Sequence, residues 1–290
     1  MNFKEVLLIV NPISGQTDKE KIISTVQERL VERNLNFHLF STTGENDMKK
    51  IQSKIKERNI ERIIVAGGDG TINLVAEAIK ETNITLGIIA AGSANGMAEN
   101  LNLPEILQDQ LEIALGINFI EVDILCLNEI ACLHLSDLGI NAELIKNYEN
   151  SPFRGKIGYL LQSIPTLINS KYPYKFRVET DSKTLEVEAV LLGIANANKY
   201  GTGANVNPQG KLDDGIFEIL VFKRLDILEI LKTLRNETDL DSDFVEIIPA
   251  KKARITAQKP VSFQIDGEYI KEETEVNIKI LPDKVRIAVA

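Results

Sequence analysis

Short apolar runs alternate with segments of helical periodicity over the first 120 residues. The apolar runs have the length and β-branched content of buried strands, and they are Val6–Val10, Phe37–Phe40, Arg62–Ala66 and Thr85–Ala90. Helical spacing follows the first three of these runs, over residues 18–34, 48–58 and 72–80. Strand, turn and helix in repetition predict a parallel sheet covered by helices.

The pattern changes to many short β-rich runs after residue 120. These runs are Phe119–Leu127, Ala131–Leu138, Lys175–Thr180, Leu185–Ala195, Ile216–Phe222, Val261–Ile265 and Val276–Ile280. Turn signals such as Asp213-Asp214-Gly215 and Asp266-Gly267 separate some of them. We therefore predict two domains, an α/β domain over residues 1–120 and an antiparallel β-sandwich over residues 121–290.

The composition limits the kinds of partner that the protein can bind and the cellular compartment that it suits. The net charge of −9 repels phosphate backbones, which argues against nucleic acid as a partner. Cys126 and Cys132 have neither metal-site spacing nor a disulfide framework around them, as suits a reducing compartment. The apolar stretches are all shorter than the roughly 18 residues of a membrane span. We expect a cytoplasmic protein whose membrane contact is peripheral and transient.

Three glycine-containing turns follow predicted strands of the first domain, at Asn11–Gly15, Gly67–Thr71 and Gly92–Gly96. In an open α/β sheet, ligands bind where strands end and helix N-termini point outward, because free backbone N–H groups and the helix dipole favour anions. We therefore expect the three turns to converge on one polyphosphate.

The turn Gly67-Gly68-Asp69-Gly70-Thr71 lacks the Gly-Lys-Ser/Thr end of a P-loop and the glycine spacing of a dinucleotide-binding fold. Its glycines let the backbone approach phosphate, and Thr71 can cap the helix or bond phosphate. Asp69 supplies a carboxylate where a metal or a hydroxyl must be handled. The alternative is an ordinary strand-to-helix turn in which Asp69 is a cap.

An ordered set of motifs resembles the diacylglycerol kinase catalytic-domain family, which includes bacterial lipid kinases and sphingosine and ceramide kinases. The set spans nearly the whole chain, which makes it far more specific than any single motif. Its members are Asn11-Pro12-Ile13-Ser14-Gly15, Gly67 to Asn73, Gly92-Ser93-Ala94-Asn95, Asn196 to Gly203, Pro208, Leu212 to Phe217 and Asp266-Gly267-Glu268.

The resemblance implies a first domain of the phosphofructokinase and NAD kinase type, a C-terminal β-sandwich, and a kinase that uses ATP and Mg²⁺ on a lipid hydroxyl. It places ATP contacts at Thr42 (or Thr43 after a one-residue shift), Gly67, Gly68, Asp69, Gly70, Thr71, Asn73 and Ser93. The expected convergence of the three turns on a polyphosphate adds Asn11, Ser14, Gly15, Gly92 and Asn95.

The resemblance also implies a metal site and two catalytic carboxylates. Asp214 matches the position that holds Mg²⁺ in bacterial members, with the carbonyls of Lys211 and Ile216 as fellow ligands. A turn that offers a carboxylate and bare carbonyls suits a hard cation, although Asp-Gly is also an ordinary hairpin turn. Glu268 matches the position of a proton acceptor, and Asp69 matches a residue with a catalytic role in the sphingosine kinase branch.

One departure from the family pattern keeps alternatives open. Many bacterial members carry an aspartate where this chain has Gly96, whereas sphingosine kinases carry a small residue there. A lipid or nucleotide-binding regulator without turnover is therefore one alternative. An NAD kinase, which shares the Gly-Gly-Asp-Gly turn and the two-domain plan, is another alternative, although its Thr-Gly-Ser-Thr-Ala-Tyr type of signature is missing here. The sequence does not name the lipid, for which a diacylglycerol, a sphingoid base and related lipids are the options.

Residues 153–177 form a basic segment with interleaved apolar and aromatic side chains in an otherwise acidic chain. Such a segment is typical of contact with an anionic membrane surface, where each exposed cation contributes about 1 kcal/mol. The alternative is a core-packed helix with a solvated basic face. The oligomeric state stays open, with a homodimer as one option.

Overall fold

The chain forms two compact units in a computed structural model that describes residues 3–149, 172–200, 204–235 and 240–290. The first unit comprises residues 1–123 and 282–290, and the second comprises residues 124–281. The sequence pattern alone assigned residues 282–290 to the second domain. They belong to the first unit because the end of the last strand pairs there, with Arg286 opposite Thr85.

The first unit is an α/β unit built around a parallel sheet. Its strands are β1 (Glu5–Val10), β2 (Asn36–Ser41), β3 (Arg62–Gly67), β4 (Thr85–Ala90), the first part of β5 (Phe119–Leu127) and the end of β16 (Glu268–Ala288). Its helices are α1 (Lys19–Glu32), α2 (Asp47–Arg58), α3 (Asp69–Ile79), α4 (Gly96–Asn100) and α5 (Leu107–Ala114). The parallel sheet has the order β2-β1-β3-β4-β16.

The core of the first unit lies between the sheet and its helices. The five residues of β1 from Val6 to Val10 are all buried, as a central parallel strand with both faces covered requires. Helix α1 buries Ile22, Val26 and Leu30, which recur every four residues on one face and pack with β1. Each such side chain contributes roughly 1.5–3 kcal/mol of hydrophobic stabilisation. The α/β architecture predicted for this part of the chain is confirmed.

Helix α3 begins three residues before the predicted start. Gly68 is its N-cap in an extended conformation, and Asp69, Gly70 and Thr71 already form the first turn of the helix. Glycine signals a turn in a sequence, yet here the missing Cβ is needed for a close approach of the backbone. The Gly67–Thr71 segment is therefore a strand end followed at once by a helix N-terminus.

The second unit consists mainly of antiparallel strands. They are the second part of β5, β6 (Ile130–Cys132), β7 (Leu135–Gly139), β8 (Tyr174–Thr180), β9 (Thr184–Ala189), β10 (Leu191–Ala195), β11 (Lys199–Tyr200), β12 (Ala204–Asn205), β13 (Phe217–Phe222), β14 (Val245–Ala250), β15 (Lys252–Ile265) and the first part of β16. Two described helices accompany them, α6 (Ile140–Glu149) and α7 (Ile227–Leu234).

Strand β15 links two groups of strands in the second unit. Its first half pairs with β8 and its last residues pair with β7, and a register shift lies between Thr256 and Val261. Large side chains from both groups, including Phe176, Phe217 and Phe263, pack in one buried cluster. This arrangement is the β-sandwich that the sequence predicted. The predicted single strands at residues 131–138 and 185–195 are each divided into two.

Candidate functional site

The three glycine turns of the first unit lie together at one edge of its parallel sheet. The amide of Asn11 donates to Ala66 O (3.2 Å), and the amide of Ala91 donates to Gly67 O (3.0 Å). A Cβ built on Gly92 would lie only 2.3 Å from the Cα of Gly68. Only glycine permits this approach of two backbones, so Gly68 and Gly92 let the segments that follow β3 and β4 pack closely together.

Side chains from the first turn hold it to the other two. Asn11 donates from Nδ2 to the hydroxyl of Thr71 (3.1 Å), and Ser14 donates from Oγ to the carbonyl of Ala91 (3.1 Å). Gly15 has a φ of +55°, and a Cβ there would lie 2.7 Å from the same Ala91 carbonyl. Asn11, Ser14 and Gly15 therefore fix the position of their turn relative to β3 and β4.

Asp69 lies at the start of α3 and binds the start of α4. Its Oδ2 accepts from the amide of Gly96 (2.8 Å), and its Oδ1 accepts from the amide of Met97 (2.9 Å). A carboxylate at this place satisfies N–H groups that a helix leaves without an intrahelical partner. The structure thus gives Asp69 a positioning role toward the third turn. Gly96, which departs from the family pattern, supplies one of the two amides.

The loop that precedes α4 is held by its own asparagine. Asn95 adopts a left-handed conformation, its Oδ1 accepts from the amide of Gly92 (2.8 Å), and its Nδ2 donates to the carbonyl of Gly92 (3.2 Å). Ser93 lies between them with an exposed side chain. The third turn is therefore closed on itself, with Ser93 directed at solvent.

No sequence pattern pointed to Lys19, which lies in the first turn of α1. Its Nζ donates to the carbonyls of Ser14 and Ala91, each at 2.7 Å. Burial lowers the pKa of its ammonium. In a sequence, a lysine in the first turn of a helix is ordinarily interpreted as a solvated charge. A cation at that position also interacts unfavourably with the helix dipole.

Thr42 follows β2 at the same sheet, and its amide donates to Val10 O (2.9 Å). The neighbouring Thr43 donates from Oγ1 to Asp47 (2.9 Å) and accepts from Lys50 Nζ (3.0 Å). Within the described residues, the Thr42 hydroxyl has no such partner. Of the two threonines, Thr42 is therefore better able to bind a ligand. Asn73 is partly buried on α3, and Gly70 lies in the first turn of that helix.

Asp214 occupies an exposed turn of the second unit that leads into β13. Its Oδ1 accepts from the amide of Ile216 (3.1 Å), and Gly215 has a φ of +73°. Lys211 is exposed in the same loop. Over the described ranges, no group of three or more His, Cys, Asp or Glu side chains could hold a metal. The donor set here is therefore one carboxylate with backbone carbonyls, which are oxygen ligands that fit Mg²⁺.

Glu268 begins β16 directly after a turn that is held by several hydrogen bonds. The carboxylate of Asp266 accepts from the amides of Leu133, His134 and Leu135, each at 3.0 Å. The amide of Gly267 donates to Gln264 Oε1 (2.8 Å). Glu268 itself is exposed. The structure thus presents this carboxylate on a fixed turn, as positioning of a reactant requires.

A buried polar network supports that turn. Asp137 Oδ2 accepts from Gln264 Nε2 (2.6 Å) and from Asn141 Nδ2 (2.7 Å). Burial raises the pKa of the Asp137 carboxyl to about 7. Because Gln264 bonds both Asp137 and the amide of Gly267, the network connects β7 and α6 to the turn before Glu268. No sequence pattern pointed to Asp137 or Gln264.

Several other expectations concern single residues or segments. Cys126 and Cys132 are buried and free, as expected of core residues. The predicted membrane-contact segment, residues 153–177, lies outside the described residues except for its last six positions. None of the described helices is both long and apolar enough to cross a bilayer.

Comparison with known families matches almost all of the chain. The diacylglycerol kinase catalytic domain matches residues 5–127. The YegS C-terminal NAD kinase beta sandwich-like domain matches residues 136–289. The two matches together include every glycine turn and both carboxylate turns described above.

Individual proteins agree with the family matches. A protein named probable lipid kinase YegS from Salmonella dublin is 24% identical over 294 residues, which are 98% of this chain and 96% of the relative. A crystal structure of a diacylglycerol kinase from Bacillus anthracis has a TM-score of 0.78 at 21% identity, covering 100% of this chain and 98% of the other. An ATP complex of an Archaeoglobus fulgidus NAD kinase has a TM-score of 0.53 at 12% identity, covering 98% and 93%. Both structures show a shared fold.

Proposed function

Since the chain belongs to the diacylglycerol kinase catalytic-domain family, with a C-terminal domain of the YegS type, we propose that it transfers the γ-phosphoryl group of ATP to the hydroxyl of a membrane lipid. The observation that carries the proposal is the meeting of three glycine turns at one edge of a parallel sheet. Backbone amides and a helix N-terminus at such an edge suit a polyphosphate.

The turns of the first unit would bind the nucleotide. The closely approaching backbones of Gly68 and Gly92 leave a surface without side chains at the start of α3. Thr42, Ser93 and Asn73 would add polar contacts around it. Asp69 keeps the third turn in place through the amides of Gly96 and Met97. A site whose contacts are already held in place loses little conformational entropy on binding.

The second unit would contribute the acceptor side of the reaction. Glu268 would accept the proton of the lipid hydroxyl as the oxygen attacks the γ-phosphorus, while ADP leaves with the electrons of the broken P–O bond. Asp214 and the carbonyls of Lys211 and Ile216 would hold Mg²⁺, which when bound neutralises phosphate charge. Phosphoryl transfer depends mainly on positioning and charge neutralisation, so two fixed carboxylates suffice.

The proposal specifies only the chemical class of the lipid. A diacylglycerol, a sphingoid base or a related lipid with a free hydroxyl fits the proposed chemistry. The name of the Salmonella relative specifies a lipid kinase without specifying the lipid. NAD phosphorylation is the competing reaction, because the fold is shared with an NAD kinase.

The test is a radiolabelled ATP assay on the purified protein with Mg²⁺ and total lipid extract, then with single lipids, and with NAD in a parallel arm. We expect label in a lipid product. Glu268→Gln should lower turnover by about 10²–10⁴-fold, which is the usual worth of a general base. Glu129→Gln, an exposed carboxylate on another turn of the same unit, is the matched control.

Two results would contradict the proposal. Label in NAD with none in any lipid would identify the competing kinase. Binding of ATP without transfer to any lipid of a broad panel would indicate a regulator without turnover. Turnover of Glu268→Gln equal to that of Glu129→Gln would remove the general-base assignment while leaving the kinase in place.

A further inference from the structure

We infer that Lys19 is a phosphate-binding residue, whose ammonium pairs with the polyphosphate of the nucleotide while it ties the first glycine turn to the third. The inference rests on the proposed function, and it adds a residue that the motif comparison did not include.

The contacts of Lys19 fix its position and leave capacity for a ligand. Its Nζ lies 2.7 Å from Ser14 O and 2.7 Å from Ala91 O. An ammonium group has three hydrogens to donate, and two of them account for these bonds. The third can be donated to a ligand at the point where the first and third turns meet. Lys19 therefore combines a fixed position with a donor that remains available.

The charge of Lys19 has no protein counter-ion. Across the described ranges, its contacts are carbonyl oxygens, and no carboxylate forms an ion pair with it. Burial is what lowers the pKa of its ammonium, with no acidic group opposing the effect. Lys19 is partly buried, and proteins normally pair a charge that is partly withdrawn from water. A negative ligand would supply the missing charge.

Two acidic residues, one beside Lys19 in the chain and one in the second turn, are engaged elsewhere. Asp18, the preceding residue, accepts from the amide of Lys21 (3.1 Å) as the cap of α1. Asp69 of the second turn directs both oxygens at the amides of Gly96 and Met97. Neither carboxylate forms an ion pair with Lys19.

The surroundings favour a phosphate group over other anions. The carbonyls of Ser14 and Ala91 hold Lys19. Ser14 lies in the first turn and Ala91 immediately precedes the third, and the two turns are in backbone contact. Helix α3, with eleven residues, directs its N-terminus from the Gly67–Thr71 turn at the same sheet edge. A compact cation beside backbone N–H groups is a common arrangement for a polyphosphate, in which the lysine acts as a point charge.

The test measures binding without any lipid, so that it is independent of turnover. Fluorescent ATP titrations give the affinity of the full chain, and competition gives the affinities for inorganic tripolyphosphate and for adenosine. We expect Lys19→Met to weaken ATP and tripolyphosphate binding by about 10- to 100-fold, as loss of a charge-assisted bond does. Adenosine affinity should not change. Lys21→Met, an exposed lysine two residues further along α1, is the matched control and should stay within about two-fold.

Two more variants separate charge from folding. Lys19→Arg keeps the charge and should bind within about five-fold of wild type, whereas Lys19→Gln keeps donors without charge and should resemble Lys19→Met. Thermal melting identifies a variant that does not fold, in which case Lys19→Gln replaces Lys19→Met.

The outcomes distinguish this inference from the proposed function. If wild type binds ATP and Lys19→Met binds it as tightly as Lys21→Met, the phosphate role of Lys19 is overturned and the kinase proposal stands. An equal loss of adenosine and ATP affinity in Lys19→Met would also overturn it, because the residue would then act through structure alone. Failure of wild type to bind ATP or tripolyphosphate would overturn both.

Discussion

Asp69 Oδ2 lies 2.8 Å from the amide nitrogen of Gly96, so the second glycine turn is bonded to the start of the helix that follows the third. Asp69 Oδ1 makes the same kind of bond to the amide of Met97. The residue that the family resemblance makes catalytic is thus also the residue that holds the third turn in place. The two roles can be separated by experiment.

Asp69→Asn is expected to lower both stability and nucleotide affinity. An amide nitrogen cannot accept from a backbone N–H, so either Gly96 or Met97 loses its partner, at a cost of about 1–3 kcal/mol. Urea unfolding and ATP titration measure the two effects, with Glu28→Gln, an exposed carboxyl on α1, as the control. Wild-type stability and ATP affinity together with lost turnover would show a purely chemical role.

Gly15→Ala is expected to damage the site more than Gly44→Ala, although both glycines are left-handed. Gly15 has a φ of +55° and its Cβ would meet Ala91 O at 2.7 Å, whereas Gly44 has a φ of +81° and nothing within 4 Å. Each variant should lose about 1–2 kcal/mol of stability from backbone strain alone. Gly15→Ala alone should also lose ATP affinity, because Ala91 O would have to move.

Unfolding and ATP titration of the two glycine variants check that difference. Equal ATP affinities in the two variants would show that the contact between the first turn and Ala91 does not matter for nucleotide binding.

Asp137→Asn is expected to flatten the pH dependence of stability. Burial raises the pKa of Asp137 to about 7 from an ordinary value of 3.8. A carboxyl whose pKa is higher in the folded state than in the unfolded state stabilises the folded state. This stabilisation is fully present at pH values below the unfolded-state pKa, and it is lost as pH rises through the folded-state pKa. Between pH 5 and 8 the free energy of unfolding of the wild type should therefore fall by roughly 2–3 kcal/mol relative to that of the variant.

The asparagine at position 137 is close to isosteric, and its oxygen can still accept from Asn141 and Gln264. Urea unfolding at several pH values checks the prediction, with the exposed Asp243→Asn as the control. Parallel stability curves for wild type and Asp137→Asn over this range would contradict it.

Gln264→Met is expected to lower lipid phosphorylation without changing ATP affinity. The side chain of Gln264 bonds both Asp137 (2.6 Å) and the amide of Gly267 (2.8 Å), which precedes Glu268. Loss of this support should displace Glu268 and reduce kcat by about 10-fold, since small misplacements of reacting groups are costly. Gln258→Met, exposed on the same strand, is the control. Unchanged kcat would show that the turn holds Glu268 without Gln264.

Local patterns in the sequence predicted the elements and the position of the glycine turns. Carboxyl ends of parallel strands meet at one edge of a sheet, so the grouping of Gly15, Gly68 and Gly92 followed from the strand pattern. The partners of Asp69 could not be predicted in this way, because Gly96 and Met97 depend on the path of a loop. Lys19 was missed for a similar reason, since its acceptors are backbone carbonyls that have no residue type.

Local sequence patterns also could not predict contacts between residues that are far apart in the chain. Asp137 and Gln264 are 127 positions apart, and neither polar side chain has a local reason to be buried. The division of β15 between β8 and β7 depends on a register shift that alternation of side chains does not specify.

The return of β16 to the first unit has a consequence for synthesis. Strand β4 pairs with β3 on one side and with Arg286 and Ile287 on the other, and those two residues follow the whole second unit in the chain. A sheet formed by residues 1–123 alone would therefore leave one edge of β4 without its partner strand. We expect the nascent first unit to remain prone to edge-to-edge pairing until translation supplies its final strand.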